Sequence, residues 1–214
     1  MGVKHPPSSP GTPPDAAGGG PTLIVPLTSI TERLALENFF ATPQPMEVEL
    51  GAGDGSFLAR YAQLHPERNF LAVERLLGRL RKLDRKGRRA KLANLALLRI
   101  EAAYFAEYLL PAHCAQALHI YFPDPWPKKK HRKHRLINMR FPQIARQVLV
   151  PGGTVYLRTD DADYFAQMQE VFGAASDWFT PVETPAELAA VVTDFEREFN
   201  AQGIPTRRAA YRLK

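Results

Sequence analysis

The sequence predicts an α/β fold built on a doubly wound, mostly parallel sheet with an antiparallel C-terminal edge. Apolar runs rich in strand-forming residues alternate with segments whose apolar residues have helical spacing, and the last part of the chain breaks this alternation. A chain of 214 residues is long enough for one well-buried core and too short for two ordinary domains with linkers. We therefore expect a single domain over residues 23–214.

Five apolar runs predict the parallel strands: Met46–Leu50, Asn69–Val73, Leu95–Ile100, Leu118–Phe122 and Thr154–Leu157. Between them, apolar residues recur at the spacing of one helix face: Phe57/Tyr61/Leu64, Leu76/Leu80/Leu83, Phe105/Leu109 and Ile137/Phe141/Ile144/Val148. Strands that alternate with helices in this way predict a parallel sheet with helices on both faces.

Further elements are predicted before the first parallel strand and after the fifth. Before the first strand, Ser29 or Thr31 predicts the cap of a helix that Pro43 ends. After the fifth strand we expect a helix over Tyr164–Phe172, a strand over Trp178–Thr180, a helix around Leu188–Asn200 and a strand from Thr206 to Leu213. The last two strands are expected to pair antiparallel at one sheet edge.

The N-terminal segment 1–22 contains six prolines and five glycines, half of its residues, and almost nothing apolar. This composition predicts a disordered tail. Cys114 is the only cysteine, which excludes an internal disulfide and a cysteine-held zinc site, so no metal is expected. The sequence has no stretch of 18 apolar residues and no signal-peptide pattern, which predicts a cytoplasmic protein without membrane contact. Nothing in the sequence indicates an obligatory protein partner.

The positive charge is concentrated in two short segments. Arg79–Lys91 carries a formal charge of +7 and Lys128–Arg135 carries +6, against +6 for the whole chain, so the remainder is at −7. Such clusters are typical of polyanion binding, because Lys and Arg release counterions from phosphates. The first segment has Leu80 and Leu83 to form an apolar side, so a solvated helix face explains it equally well. The second has no apolar residue and favours nucleic acid.

A glycine-rich turn, Glu49-Leu50-Gly51-Ala52-Gly53-Asp54-Gly55, follows the first predicted strand. Glycines at this place allow the sharp turn and close backbone approach that nucleotide sites use, although a tight strand-to-helix connection needs them as well. The third glycine falls one residue earlier than in a dinucleotide fingerprint. This shift disfavours NAD.

An acidic residue lies at or just beyond the end of each of the first four predicted strands: Glu49, Glu74, Glu101 and Asp124. Converging carboxylates repel one another unless they meet a cation or many hydrogen-bond donors. S-adenosylmethionine has a sulfonium, an ammonium, ribose hydroxyls and an adenine amine, whereas the phosphates of NAD would be repelled. Glu74, after the second strand, is placed to accept hydrogen bonds from ribose hydroxyls.

The segment Pro123-Asp124-Pro125-Trp126 precedes the second basic run directly. Its two prolines fix the backbone on either side of Asp124 and so preset the direction of the carboxylate. A rigid loop with a buried tryptophan is the structural alternative.

These motifs together resemble the tRNA (guanine-N7-)-methyltransferase family of bacteria. The resemblance runs from about Thr31 to the end and rests on motifs that occur in one order: Glu49-Leu-Gly-x-Gly-x-Gly, Glu74, Asn94-Leu95, Phe122-Pro-Asp-Pro-Trp126 with its basic run, Leu157-Arg-Thr-Asp160, Thr193-Asp-Phe-Glu196, Gly203 and Arg207-Arg208. It implies a Rossmann-like class I methyltransferase that uses S-adenosylmethionine to methylate N7 of a guanine in tRNA, with nucleotide 46 of the variable loop as the expected target.

The resemblance also implies a role for each motif. The donor-binding residues are Glu49, Gly51, Gly53, Glu74, Glu101 and Asp124, and Asp124 is also the implied catalytic residue. The substrate-binding positions are Lys128, Asp160, Thr193 and Glu196. The RNA-binding stretch contains Lys130, Arg132, Lys133 and Arg135.

The chain departs from the family pattern at two positions. Glu101 stands where the family usually has Asp, and Pro127 replaces a histidine, so no role for that histidine transfers. Thr193 to Glu196 also fits a helix capping box. Three other functions stay open: a non-catalytic RNA-binding module on the same fold, a methyltransferase for another RNA, and a methyltransferase for small molecules, which would leave the basic runs unexplained.

Overall fold

The computed structural model describes residues 21–214, and these form one seven-stranded sheet with the order β3-β2-β1-β4-β5-β7-β6. Neighbours among the first five strands run parallel, whereas β7 pairs antiparallel with both β5 and β6. The predicted fold class is confirmed, including the antiparallel C-terminal edge.

The strands are β1 Met46–Leu50, β2 Asn69–Val73, β3 Leu95–Leu98, β4 Ala115–Tyr121, β5 Leu149–Thr159, β6 Phe179–Val182 and β7 Arg207–Leu213. The helices are α1 Leu58–Leu64, α2 Leu77–Arg89, α3 Ala102–Tyr104, α4 Phe141–Val148, α5 Ala162–Gly173, α6 Ala186–Ala190 and α7 Asp194–Ala201. A π-helical turn, Phe105–Leu109, continues α3, and 3-10 turns occur at Leu36–Asn38 and Lys129–His134.

Apolar side chains fill both faces of the sheet, as expected for parallel strands covered by helices. Every residue of β1 and β2 is buried, and successive residues point to opposite faces. Leu71 and Val73 pack in one cluster with the core residues of α4 and α5. Phe70 and Ala72 pack in a second cluster with those of α1 and α2.

The helix predicted between Ser29 and Pro43 is wrong, since only the turn at Leu36–Asn38 is helical. Local and tertiary hydrogen bonds replace helical ones in this segment. The Ser29 hydroxyl accepts the N–H groups of Thr31 and Glu32, and Leu34 donates its N–H to the carbonyl of Leu109. These bonds favour a turn over a helix.

The helix predicted around Leu188–Asn200 is two helices, α6 and α7. The guanidinium of Arg158 donates to the carbonyl oxygens of Leu188 and Val191, at 2.6 and 2.8 Å. Leu188 lies in the last turn of α6 and Val191 directly follows that helix. The hydrogen bonds from Arg158 therefore stabilise the non-helical segment between α6 and α7.

The domain is predicted to begin at residue 23, after a tail of 22 residues. Residues 1–20 of the predicted tail lie outside the described part of the chain. Thr22 donates its hydroxyl to Asp84 Oδ1 at 3.0 Å, and Leu23 donates its N–H to the same atom at 2.8 Å. Thr22, the last residue of the predicted tail, therefore contacts α2. No helix in residues 21–214 has the length and apolarity needed to cross a membrane.

Gly55 fixes how closely α2 packs against the glycine turn. Its φ of +73° lies in the left-handed region, and a Cβ at this position would come within 2.1 Å of Leu83 Cδ1 and 2.8 Å of Leu83 Cβ. Gly53 has a φ of +57°, but a Cβ there would meet nothing within 4 Å. Of these two positions, Gly55 alone needs glycine both for its backbone angle and for space.

We expect Gly55→Ala to lower the free energy of unfolding by about 2–5 kcal/mol, the sum of left-handed strain and overpacking against Leu83. Gly53→Ala is the matched control and is expected to cost about 1–2 kcal/mol, because it carries the backbone strain alone. Urea denaturation of both variants measures the difference. Equal losses would show that the contact with Leu83 relaxes freely.

Candidate active site

A cavity of about 450 Å³ lies where β1, β2 and β4 end. Its apolar lining includes Leu50, Val73 and Ile100, and its acidic lining consists of Glu74, Glu101 and Asp124. Gly51 of the glycine turn also lines it. The cavity occupies the switch point of the sheet, because β2 and β4 lie on either side of β1. Four of the six predicted donor-binding residues therefore meet at one place.

The glycine turn is tied to the end of β2. The N–H groups of Gly51 and Ala52 both donate to the carbonyl of Val73 at 2.9 Å. Gly51 has a φ of +86°, and a Cβ there would point into open space. Glycine at this position serves the left-handed turn, so it leaves the backbone of Gly51 exposed on the cavity wall.

The carboxylate of Glu74 is buried and oriented by backbone donors. Its Oε2 accepts the N–H of Gly53 at 3.0 Å, and its Oε1 accepts the N–H of Leu76 at 2.7 Å. Each carboxylate oxygen has a second lone pair for a further donor. Gly53 does not line the cavity, but through this bond it fixes the residue that does.

Glu101 and Asp124 complete the acidic lining. Glu101 caps α3 by accepting the N–H groups of Ala103 at 2.9 Å and Tyr104 at 2.7 Å. Asp124 is exposed between its two prolines. No Lys or Arg lies within ion-pair distance of Glu74, Glu101 or Asp124 among residues 21–214. Their negative charge is therefore available to a ligand.

Glu49 lies behind this lining, at the end of β1. Only 3% of its surface is exposed, and its Oε2 is buried without a hydrogen-bond partner in the described part of the chain. Burial raises the pKa of this carboxyl well above its ordinary value, and Asp54 and Glu74 raise it further, although Arg158 opposes the shift. Glu49 is an unsatisfied acceptor beneath the glycine turn, which fits a ligand donor at that place.

The loop that carries Asp124 is held in an unusual backbone conformation. Phe122 and Trp126, which flank Pro123-Asp124-Pro125, have φ values of +51° and +44°. Such angles in bulky residues persist only where the surroundings enforce them, and they cluster at functional sites. Trp126 is 37% exposed, so the predicted alternative of a buried tryptophan is wrong.

Arg135 stabilises this conformation through buried hydrogen bonds. Its side chain is 1% exposed. The guanidinium donates to the carbonyl of Pro125 at 2.7 Å, to Gln167 Oε1 at 2.7 Å and to Asp163 Oδ2 at 2.6 Å. It also lies 4.7 Å from the ring centre of Tyr164. The hydrogen bond from Arg135 lowers the pKa of Asp163.

This position corrects the RNA-binding role predicted for Arg135. A guanidinium buried among three acceptors of the protein has no exposed donor for a phosphate, so Arg135 joins the Asp124 loop to α5 instead. Arg132 is shared between the two roles, because it is partly exposed and pairs with Asp163 at 2.9 Å. Lys128, Lys130 and Lys133 are exposed, as the predicted substrate and RNA roles require.

Thr193 and Glu196 form the capping box of α7. The Thr193 hydroxyl accepts the N–H of Glu196 at 2.9 Å. Glu196 is fully buried, where its carboxylate accepts bonds from Arg158 at 3.0 Å and from Arg208. The predicted substrate contacts of these two side chains are therefore corrected, and the capping alternative is confirmed. Asp160, the remaining predicted substrate residue, follows β5 at the same sheet edge but does not line the cavity.

Two arginines on the rim, Arg75 and Arg79, also line the cavity, as does His134. No place in the cavity was predicted for these three side chains from the sequence. Arg79 belongs to the first basic run, which was the available signal. No group of three or more His, Cys, Asp or Glu residues within 21–214 is arranged to hold a metal ion.

Comparison with known proteins places this geometry in a family. A family model described as putative methyltransferase matches residues 43–209. The tRNA (guanine-N(7)-)-methyltransferase of Syntrophotalea carbinolica is 36% identical over 169 residues, which are 77% of this chain and 72% of that one. The protein of the same name from Halorhodospira halophila is 32% identical over 195 residues, 84% of this chain and 79% of that one. The chain belongs to the tRNA (guanine-N7-)-methyltransferase family.

Solved structures agree on the fold. The 16S rRNA methyltransferase KamB superimposes with a TM-score of 0.58 at 17% identity, over 84% of this chain and 92% of that one. An rRNA methylase from Streptococcus thermophilus gives a TM-score of 0.54 at 17% identity, over 79% and 87% of the two chains. Membership of a methyltransferase family implies S-adenosylmethionine as the methyl donor.

We expect Arg135→Gln to lower kcat for methyl transfer about 10- to 100-fold, because a small displacement of Asp124 is costly in a positioned site. The affinity for tRNA should change less than about threefold, since this side chain makes no exposed contact. Arg212→Gln, which removes the same charge at the far end of β7, is the control. Steady-state kinetics with tRNA as the varied substrate separate kcat from KM.

Asp163→Asn provides a second variant that weakens the same contact from an exposed partner. A smaller loss of kcat in the same direction is expected. If Arg135→Gln instead raised KM for tRNA and left kcat unchanged, Arg135 would be an RNA contact and the positioning role would be wrong.

Proposed function

We propose that this protein transfers the methyl group of S-adenosylmethionine to N7 of a guanine in tRNA, in the cavity at the ends of β1, β2 and β4. The observation that carries the proposal is that Asp124, held between two prolines, shares this cavity with Gly51, Glu74 and Glu101. Its acidic lining fits a cationic donor with hydroxyl and amine groups, and it disfavours a ligand with phosphates.

Donor binding would divide among the carboxylates. Glu74 has both oxygens oriented and is the acceptor for the ribose hydroxyls. Glu101, at the neighbouring strand end, is the acceptor for the adenine amine, where its longer side chain replaces the usual Asp. Glu49 has the unsatisfied oxygen, and we assign it to the ammonium end of the donor.

Methyl transfer to N7 needs little acid or base catalysis. N7 of guanine carries a lone pair and no proton, so its methylation needs no residue to deprotonate it, and positioning dominates. Positive charge develops on the purine as the bond forms. The carboxylate of Asp124 can hold the guanine edge and stabilise this charge.

The exposed lysines next to the site support a nucleic-acid substrate. Lys128, Lys129, Lys130 and Lys133 have no carboxylate within ion-pair distance in the described part of the chain. We assign them to tRNA phosphates, and Asp160 to the nucleotide beside the guanine. The cytoplasm is the proposed location.

The test is methyl transfer from labelled S-adenosylmethionine to an unmodified tRNA transcript, followed by nucleoside analysis. We expect 7-methylguanosine as the product. A transcript made with 7-deazaguanosine has a carbon in place of N7 and should accept no methyl group. Methylation of that transcript, or of ribosomal RNA in preference to tRNA, would contradict the proposal, and a chain that binds no donor would support the non-catalytic alternative.

Asp124→Asn should lower kcat by about 10²- to 10³-fold, the usual effect of removing one electrostatic stabiliser of a transition state. Donor affinity, measured by calorimetry, should fall much less, because Asp124 is one of several carboxylates around the donor and its charge matters most when the purine becomes positive. Asp177→Asn, an exposed position away from the cavity, should behave like the unchanged protein. Retention of near-normal turnover by Asp124→Asn would remove Asp124 from catalysis.

Donor binding should also release a proton from Glu49. Burial keeps this carboxyl protonated to a higher pH than usual, and a cationic ammonium beside it would lower its pKa again. Calorimetry in buffers of different ionisation enthalpy measures the release, which should shrink as the pH rises above the pKa of the free protein. Glu49→Gln should bind the donor more weakly and without the proton release, and an unchanged release in that variant would assign the proton elsewhere.

A further inference from the structure

One face of α2 carries a row of arginine and lysine side chains that nothing in the described part of the protein neutralises. Arg81, Lys82, Arg85 and Arg89, here called the α2 stripe, recur at three- and four-residue intervals and are all exposed. The opposite face of the helix contains Leu80 and Leu83, which are buried against the sheet.

Apart from Arg79 at the cavity rim, the cations of α2 fall into two groups. Those that point toward the domain are paired, Lys86 with Asp54 at 3.0 Å and Arg88 with Asp84 at 3.4 Å. The α2 stripe has no carboxylate within ion-pair distance among residues 21–214. The helix has a single acidic residue, Asp84, and that residue is turned inward to Thr22 and Leu23.

A merely solvated helix face usually mixes both signs of charge, since like charges four residues apart destabilise a helix by a few tenths of a kcal/mol. The α2 stripe has two such pairs, Arg81 with Arg85 and Arg85 with Arg89. A polyanion would offset this repulsion.

The α2 stripe is continuous with the active-site cavity. Arg79, two residues before the start of the stripe, lines the cavity rim, and the helix then runs about 15 Å from Arg79 to Arg89 at 1.5 Å per residue. α2 follows β2, whereas the Lys128–Lys133 run follows β4, and β1 lies between those strands. The two basic surfaces therefore leave the cavity on opposite sides of β1.

We propose that the α2 stripe is a second RNA-binding surface, which holds the phosphate backbone of the tRNA on the side of the target guanine opposite to the Lys128–Lys133 run. This inference rests on the proposed function, because the cavity between the two surfaces is where the guanine would bind. Phosphates fit the stripe better than a membrane does, since the apolar face of α2 is already buried in the protein.

The test compares two triple variants with the same change in net charge. Arg81→Gln/Arg85→Gln/Arg89→Gln removes three charges from the α2 stripe. The control, Arg146→Gln/Arg212→Gln/Lys214→Gln, removes three charges at the other edge of the sheet, where Arg146 stacks on Trp178 and the Lys214 N–H bonds its carbonyl. The affinity of each full-length protein for tRNA is measured over a range of salt concentrations, together with donor affinity and kcat at saturating tRNA.

We expect the stripe variant to bind tRNA about 10- to 1,000-fold more weakly at low salt. Its plot of log affinity against log salt should be shallower by about 0.7–0.9 for each phosphate that the variant no longer neutralises. Donor affinity and kcat should stay within about twofold of the unchanged protein. The control triple should lose less than about threefold in tRNA affinity, which would show that position matters and not total charge.

Equal losses in both triples, or an unchanged salt slope in the stripe variant, would overturn the second surface while leaving the proposed function intact. Binding of the unchanged protein to phosphatidylserine vesicles that the stripe variant loses, with tRNA affinity unaltered, would assign the face to a membrane and also overturn it. Failure of the unchanged protein to bind or methylate tRNA would overturn the proposed function first, and the two failures are therefore distinguishable.

Discussion

The active-site cavity depends on backbone N–H groups at the places where parallel strands end and helices begin. These N–H groups have no backbone carbonyl to bond. Carboxylates at this edge accept them: Glu74 from Gly53 and Leu76, and Glu101 from the first residues of α3. The same carboxylates line the cavity. Their charge is thus tolerated without a ligand, because donors of the fold already stabilise it, and their remaining lone pairs are directed at whatever binds. The fold and the binding site share one set of hydrogen bonds.

Two buried arginines hold the segments around this edge in place. Arg135 fastens the Asp124 loop to α5, and Arg158 fastens the break between α6 and α7 to β5. Burial of a guanidinium is expensive unless every acceptor is well placed, so each arginine enforces one arrangement of its segment. Arg158 also packs 4.2 Å from the ring centre of Tyr121 at the end of β4. Buried arginines therefore contact the chain at Tyr121, before the Asp124 loop, and at Pro125, within it.

The fold could be predicted because it depends on local patterns in the sequence. The burial of a single charged residue could not be predicted, because it depends on residues far away in the sequence. The alternation of apolar runs was enough to predict the fold class and the acidic residues at the strand ends. The capping box at Thr193 was predictable from four consecutive residues. Arg135 has the same sequence surroundings as its exposed neighbours. Its burial is decided by Asp163 and Gln167, which lie 28 and 32 residues away. The break before α7 likewise depends on Arg158, more than 30 residues earlier.

The distribution of ion pairs explains how an acidic cavity and basic rims coexist a short distance apart. The pairs near the site use carboxylates outside the cavity: Lys86 with Asp54, and Arg132 with Asp163. Within residues 21–214 the cavity acids are consequently in no ion pair, and neither are the α2 stripe and the lysines of the Lys128–Lys133 run. A cationic donor and a polyanionic substrate are then attracted to adjacent places by opposite fields. Methyl transfer moves one positive charge from donor to purine inside this acidic cavity, so the electrostatic balance that admits the donor is the one that stabilises the methylated base beside Asp124.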